Sequence, residues 1–152
     1  MRRFSVIYGF WTAVALIVYF LLIKLVGFQE NVMFSAVNGI IFGVGIYITI
    51  SRLNEKLTTM KYETGFSAGM VSGAVATAIF TMFMAIYMYQ IDPGFSKALM
   101  QRWNLEDSLS TAMLVLMILT MGAVTTLVLT LAFMQLFKQS WNTKEGDAHT
   151  LK

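Results

Sequence analysis

The chain has 152 residues, of which 57% are hydrophobic and 12% are charged, and its formal net charge is +3. Soluble globular domains carry about 25% charged residues, so this composition excludes an ordinary soluble domain and favours a membrane protein. The sequence contains no cysteine, which excludes disulfides and thiolate metal sites, and no dense basic run that indicates a nucleic-acid partner.

Four long apolar segments contain no charged side chain. A hydrocarbon core about 30 Å thick requires roughly 20 helical residues, so each segment is long enough to cross a bilayer once and too short to cross it twice. We therefore predict an all-α membrane protein, a four-transmembrane-helix bundle in which 1–152 form a single membrane domain. The predicted helices are 4–26, 31–51, 65–90 and 108–137, followed by a polar C-terminal tail over 138–152.

The first apolar segment follows a basic start, Arg2 and Arg3, as the core of a secretory signal peptide does. Signal-peptide cores have about 7 to 15 residues, whereas this segment has about 20, and no Ala-x-Ala cleavage pattern follows it before Lys24. We therefore interpret the segment as a helix that stays in the membrane.

The second predicted helix carries small residues at every fourth position, Ser35, Gly39 and Gly43, and an amide, Asn38, near its middle. An unpaired amide is costly in hydrocarbon, so we expect Asn38 to hydrogen-bond across a helix interface. A polar ligand or an ion pathway is the alternative reason for an amide at this depth.

The third predicted helix begins with a row of glycines, Gly65, Gly69 and Gly73, which continues at the same spacing with Thr77. Glycine weakens an isolated helix by up to about 1 kcal/mol relative to alanine, so three in register require a reason. Small residues spaced by four allow two helices to approach closely in lipid, where little hydrophobic force draws helices together. We expect this row to meet the row on the second helix, within one chain or across a dimer.

Two connections have helical character. The linker 51–63 has apolar residues at i, i+4 and i+7, which predicts a short interfacial helix or an extension of the second helix. The third helix ends at the only proline, Pro93, and Asp92 is expected to cap a new helix in which Pro93 takes the first position. This interfacial helix is predicted over 93–104, flat on the outer membrane surface.

The fourth predicted helix has methionine at every fourth position, Met113, Met117 and Met121. Thioethers bind Cu(I), so a copper path is one interpretation of this stripe. No cysteine and no histidine within the spans accompanies the methionines, and methionine commonly fills irregular apolar gaps. We therefore interpret the stripe as packing.

The basic residues are divided unequally between the two predicted sides of the membrane, and loops rich in Lys and Arg stay in the cytoplasm. Both termini are therefore expected to be cytoplasmic. The cytoplasmic side would carry eight basic residues: Arg2, Arg3, Arg52, Lys56, Lys61, Lys138, Lys144 and Lys152. The outer side would carry three: Lys24, Lys97 and Arg102. Three tryptophans, Trp11, Trp103 and Trp141, are predicted to be interfacial anchors.

Two short stretches, KYETGFSAG over 61–69 and IDPGF over 91–95, resemble an uncharacterised bacterial membrane family known as domain of unknown function 4199. The resemblance covers mainly 31–95. It implies a small four-helix protein of the bacterial inner membrane, and it implies no activity and no catalytic residues. The family pattern has a longer polar, glycine-rich insertion before the third helix, whereas this chain runs directly from Glu63 to Phe66.

Catalytic groups are missing from the predicted spans, because the single histidine, His149, lies in the tail and every acidic residue lies outside the charge-free segments. No catalytic motif is present, so we predict neither an enzyme nor a cofactor or metal site. The favoured hypothesis is an accessory or scaffold subunit, embedded in the lipid bilayer, that associates with itself or with another integral membrane protein through its small-residue rows.

The alternative hypothesis is a small oligomeric channel or carrier for a neutral or lipid-like solute. Such a site needs no charge, because hydroxyl and amide groups within the spans both donate and accept hydrogen bonds. The candidate residues are Asn38, Thr77, Thr81, Thr125, Thr126 and Thr130.

Overall fold

The computed structural model describes residues 2–27, 32–57, 60–102 and 110–137, with the side chains of 32–35 and 102 excepted. In these residues the chain forms five α-helices, and a π-helical turn, Tyr87–Ile91, continues α3. The helices are α1 Arg2–Val26, α2 Val32–Lys56, α3 Tyr62–Ile86, α4 Pro93–Arg102 and α5 Thr111–Leu136. All but α4 are long and apolar enough to cross a membrane, which confirms the predicted all-α class with four candidate spans.

The central helix is α3, which packs against α1, α2 and α5. Its buried residues are mostly glycine, alanine, serine or threonine, so its neighbours approach its backbone closely. A bond between Thr49 Oγ1 and Ser72 Oγ, 3.0 Å long, joins α2 to α3. On α1, Gly9 lies so close to α3 that a Cβ atom added there would come within 2.5 Å of the Ser72 carbonyl oxygen.

The glycine row of α3 meets α5. Because the residue numbers rise along α3 as they fall along α5, the two helices are antiparallel. Each contact joins a glycine on one helix to a larger side chain on the other: Gly65 with Met134, Gly69 with Thr130, Gly73 with Thr126, and Gly122 with Thr77. An added Cβ at Gly69 would lie 2.7 Å from Thr130 Cγ2, which leaves no room for one. We call these four contacts the α3–α5 seam.

The glycine row of α3 therefore does not meet the row on α2 within the chain, and their pairing across a dimer stays a prediction. A Cβ at Gly39 would meet nothing within 4 Å, and one at Gly43 would meet Leu129 and Phe133 of α5 at 3.6 and 3.8 Å. The side chain of Ser35 lies outside the described part. Thr126 and Thr130 lie four residues apart on α5, as the glycines do on α3, and they pack against those glycines. Because threonine is polar, the sequence pattern indicated them only as candidates for a polar site.

Of the two structures predicted for the linker, the structure contains the helix extension. The second helix continues through Lys56, and Leu53 on the extension is buried at 4% exposure. The following helix begins at Tyr62, three residues before the predicted start. Lys56 Nζ lies 4.5 Å from the centre of the Phe4 ring, a cation–π contact between α2 and α1.

The predicted cap of α4 is confirmed. This helix begins at Pro93, and Asp92 Oδ1 accepts a hydrogen bond from the Phe95 backbone N–H at 3.1 Å. The same carboxylate pairs with Lys24 of α1 through Oδ2 at 3.3 Å, and the Tyr87 hydroxyl donates to that oxygen at 3.3 Å. The bond from Lys24, followed by the bond from the Phe95 N–H, lowers the pKa of Asp92 below its usual value of 3.8.

An aromatic cluster supports this end of the molecule. The Phe20 ring lies edge-on to Tyr87 and Phe95, with centroids 5.0 and 5.8 Å apart, and to Phe83 at 6.1 Å. The π-helical turn is closed by the Asp92 N–H, which donates to the Tyr87 carbonyl five residues earlier at 2.8 Å. The turn thus positions both Tyr87 and Asp92 for Lys24.

Of the three tryptophans, Trp103 and Trp141 lie outside the described residues, as do the tail 138–152 and the last two residues of the predicted interfacial helix. Trp11 is 64% exposed but is the tenth of the 25 residues of α1. That position is about 14 Å along the helix axis from Arg2, near the middle of a span. The role of Trp11 as an interfacial anchor stays a prediction.

Substitution of Gly73 tests the α3–α5 seam. In Gly73→Ala the new Cβ would lie 2.9 Å from Thr126 Cβ, which cannot swing away as a side-chain end can. Overpacking of this kind costs about 1–3 kcal/mol, more than the gain of up to about 1 kcal/mol in helix propensity. We expect a lower unfolding midpoint by circular dichroism in detergent. The matched control, Gly39→Ala, should unfold at or above the wild-type temperature, and a Gly73→Ala protein as stable as this control would contradict the seam.

Substitution of Asp92 separates its two roles. Asparagine keeps an acceptor for the Phe95 N–H and loses the charge that pairs with Lys24, whereas alanine loses both. We expect the unfolding midpoint at pH 7 to fall from wild type to Asp92→Asn and further to Asp92→Ala.

The pH dependence of this ion pair follows from the lowered pKa of Asp92. A carboxylate with a lowered folded-state pKa stabilises the fold fully above its unfolded-state value, and the contribution is lost as the pH falls through the folded-state value. The difference in midpoint between wild type and Asp92→Asn should therefore be constant from about pH 7 to pH 5 and shrink only below about pH 4. A difference that disappears between pH 7 and pH 5 would disprove the pairing.

Candidate functional site

A cavity of about 230 Å³ lies between α2, α3 and α5. Its volume corresponds to about eight water molecules at about 30 Å³ each. The lining is apolar except for one amide and three hydroxyls, and it comprises Leu16, Asn38, Gly39, Phe42, Thr77, Phe80, Thr81, Ile118, Met121, Gly122 and Thr125. We call this space the threonine cavity.

The threonine cavity exists because α2 and α5 touch at Gly43 and separate at Gly39. A Cβ at Gly43 would be in ordinary contact with α5, whereas one at Gly39, one turn earlier, would meet nothing within 4 Å. Gly39 and Met121 are both exposed at the rim of this space. The cavity therefore opens onto the surface of the molecule between α2 and α5.

Three residues that line the threonine cavity each have a buried polar atom with no hydrogen-bond partner among the described residues. The atoms are Asn38 Oδ1, Thr77 Oγ1 and Thr81 Oγ1. Thr77 and Thr81 are only 6% and 7% exposed and lie one turn apart on α3. A buried polar group without a partner costs about 1–3 kcal/mol, so three at one cavity need a reason.

Three threonines of the other long helices do have partners, whereas Thr130 Oγ1 in the α3–α5 seam, like Thr77 and Thr81, has none among the described residues. Thr12, Thr49 and Thr126 each donate to the carbonyl four residues earlier, at 2.7 to 2.9 Å. This bond is the usual solution for a hydroxyl within a helix in an apolar environment. Thr77 and Thr81 do not use it, so their hydroxyls keep an unused hydrogen-bonding capacity, although both oxygens are buried.

The predicted interhelical bond of Asn38 is not found for its oxygen, which has no partner in the described part of the chain. The alternative interpretation, a polar ligand, therefore remains. Of the six candidate residues for a neutral site, the cavity brings together Asn38, Thr77, Thr81 and Thr125. The other two, Thr126 and Thr130, belong to the α3–α5 seam.

Sequence reasoning missed Gly122, which lines the threonine cavity and faces Thr77 across the α3–α5 seam. A signal was present, because Gly122 precedes Thr126 and Thr130 at the same spacing of four. That spacing resembles the row on α3 with the small and larger residues exchanged. Recognition of the two rows as complementary would have identified α5 as the partner.

The chemistry of the threonine cavity suits an uncharged molecule. None of the described residues that line it is ionisable. Nor do the described residues as a whole include a group of His, Cys, Asp or Glu side chains that would hold a metal ion. Hydroxyl groups both donate and accept, and an amide supplies a carbonyl acceptor and an NH₂ donor, so the site matches hydroxyl or carbonyl groups within an apolar frame.

A larger groove, about 410 Å³, lies between α1 and α2 beside Trp11 and Ile40. Its lining threonine, Thr12, already donates to the Tyr8 carbonyl. No buried unpaired polar atom of the described residues faces this groove. It therefore lacks the feature that distinguishes the threonine cavity.

No protein-family model, curated protein or solved structure matches this chain. The resemblance to domain of unknown function 4199 stays a prediction.

Removal of the unpaired hydroxyls tests their cost. Valine has nearly the shape of threonine, so Thr77→Val or Thr81→Val should leave stability unchanged or raise it by about 1 kcal/mol. Thr49→Val is the matched control: it breaks the bond to Ser72 and should lower stability by about 1 kcal/mol. Unfolding midpoints in detergent provide the comparison. A clear loss of stability in Thr77→Val and Thr81→Val would mean that both hydroxyls have partners in the fold.

Proposed function

We propose that this protein is a non-catalytic integral membrane protein, a four-helix bundle of the bacterial inner membrane, that binds a neutral, lipid-soluble molecule in the threonine cavity. The observation that carries the proposal is the set of three unpaired polar atoms around one apolar space. Four long apolar helices support the membrane location. The bacterial setting rests on the family resemblance, and the cytoplasmic placement of both termini rests on the eight-to-three division of basic residues.

The position of the opening of the threonine cavity supports uptake of the bound molecule from the lipid. Gly39 and Met121, at the rim, lie within helices that would be surrounded by hydrocarbon. A molecule with an apolar tail keeps that tail in the lipid while its hydroxyl or carbonyl group reaches Asn38 and the threonines. The gain in hydrogen bonds is favourable because water is scarce at this depth and the protein groups are otherwise unpaired.

The accessory-subunit hypothesis has less support than the sequence suggested. It depended on small-residue rows that are open to a second molecule, but the glycines of α3 are buried against α5 of the same chain. Self-association or a membrane partner would therefore need a surface other than the glycine row of α3. The carrier hypothesis uses polar groups that are unpaired, and for this reason we place it first.

Labelling with a photoactivatable long-chain alcohol tests the proposal, because its single hydroxyl both donates and accepts. We expect the diazirine of the probe, in vesicles with the full-length protein, to mark peptides of α2, α3 and α5 that line the threonine cavity. Labelling should saturate with probe concentration. The double variant Asn38→Leu/Thr81→Val should require about tenfold more probe, as expected for the loss of one or two hydrogen bonds.

The matched control is Thr120→Val, which removes a threonine from the exposed face of α5. This variant should label as wild type does. Equal labelling of wild type and the double variant, or labelling that rises linearly without saturation, would reject the cavity as a binding site. Neutral lipids retained by the purified wild-type protein and lost from the double variant would identify the natural class of ligand.

A further inference from the structure

A second groove, about 250 Å³, lies at the end of the molecule where α1 and α3 begin. It is separate from the threonine cavity, with which it shares no lining residue. Its lining combines two opposite charges, three hydroxyls and an apolar floor: Arg2, Ser5, Leu53, Glu63, Thr64, Ser67, Ala68 and Val71. We call this space the N-terminal groove.

The two charges of the N-terminal groove are not used by the fold. The described residues contain two ion pairs, Lys24 with Asp92 and Arg52 with Glu55, and neither involves Arg2 or Glu63. Both side chains are exposed, whereas Leu53 below them is 4% exposed. An arginine and a glutamate that share a groove without pairing leave one cationic and one anionic site for a molecule that carries both charges.

We propose that the N-terminal groove binds the headgroup of a phosphoethanolamine lipid. The Arg2 guanidinium binds the phosphate, for which its planar fork of N–H donors is well suited. The Glu63 carboxylate accepts hydrogen bonds from the primary ammonium. Thr64 lies in the first turn of α3, where the positive end of the helix dipole also favours the phosphate.

The N-terminal groove lies at the level expected for lipid headgroups. Arg2 is the first residue of α1 and Glu63 the second of α3, so both lie at the ends of apolar helices, where lipid headgroups begin. Val71 lines the groove further along α3, in the direction of the hydrocarbon, and offers an apolar wall for the start of an acyl chain. The inference shares the membrane placement with the proposed function and is independent of the threonine cavity.

The charge arrangement predicts selectivity among headgroups. A phosphocholine headgroup carries the same charges but has no ammonium N–H to donate to Glu63. A phosphoglycerol headgroup has no cation, so Glu63 would face an anionic lipid without compensation. Phosphoethanolamine satisfies both side chains and should bind more tightly than the other two.

Native mass spectrometry of the full-length protein, titrated with the three lipids carrying identical acyl chains, tests this order. We expect phosphatidylethanolamine to bind roughly fivefold more tightly than phosphatidylcholine, the effect of one partly exposed hydrogen bond. Glu63→Ala removes both the charge and the acceptor and should abolish this preference, and Arg2→Gln should weaken binding of all three lipids. Two matched controls carry the same changes outside the groove, Arg3→Gln and Glu55→Ala, and both should retain wild-type selectivity.

Equal affinity for the three lipids, or a Glu63→Ala variant that keeps the preference, would overturn the inference. Circular dichroism of each variant checks that a loss of binding does not reflect a loss of folding. Thr77→Val should leave the lipid preference intact. Loss of headgroup selectivity with intact alcohol labelling would remove this inference alone, whereas failed labelling with intact selectivity would remove the proposed function alone.

Discussion

The α3–α5 seam is the constraint on which the other features of the molecule depend. Helices in hydrocarbon gain little from burying apolar surface against each other, so their association depends on surface fit and close backbone approach. Glycine lies on α3 in three contacts and on α5 in the fourth, so each helix provides both a notch and a side chain that fills one. This exchange favours one register, because a shift by one turn would set Thr77 against Thr126.

The same seam determines where the threonine cavity lies. Thr77 and Gly122 form its last contact and also line the cavity. One turn further along, the antiparallel register sets Thr81 beside Ile118, and both residues line the cavity. The β-branched side chain of Ile118 does not allow the two helices to approach as closely as a glycine does. The close packing of the α3–α5 seam therefore ends where the threonine cavity begins.

Local features could be predicted from the sequence, whereas the pairing of helices could not. The spans follow from apolar runs, and the Asp92 cap follows from a carboxylate placed directly before Pro93, so both depend on neighbouring residues. The partner of the α3 glycines depends on residues some 50 to 70 positions away. Rows with the required spacing occur on both α2 and α5, and only the larger side chains of Thr126 and Thr130 fill the notches. For the same reason, the sequence could identify the six polar candidate residues but could not show which of them belong to the α3–α5 seam and which line the threonine cavity.

The two clusters of buried side chains show which wall of the threonine cavity is held least firmly. At the α4 end, Phe20, Tyr87 and Leu114 belong to one cluster, which ties α1, α3 and α5 together. In α2, Phe42, Ile46 and Ile50 belong to the other cluster, whereas the described residues 36–40 belong to neither. Asn38 and Gly39 thus lie in a part of α2 that belongs to neither cluster, and parts with few buried apolar contacts open at a low free-energy cost. In the proposed function, a molecule that enters between α2 and α5 would meet this part of α2 before it reached the α3–α5 seam.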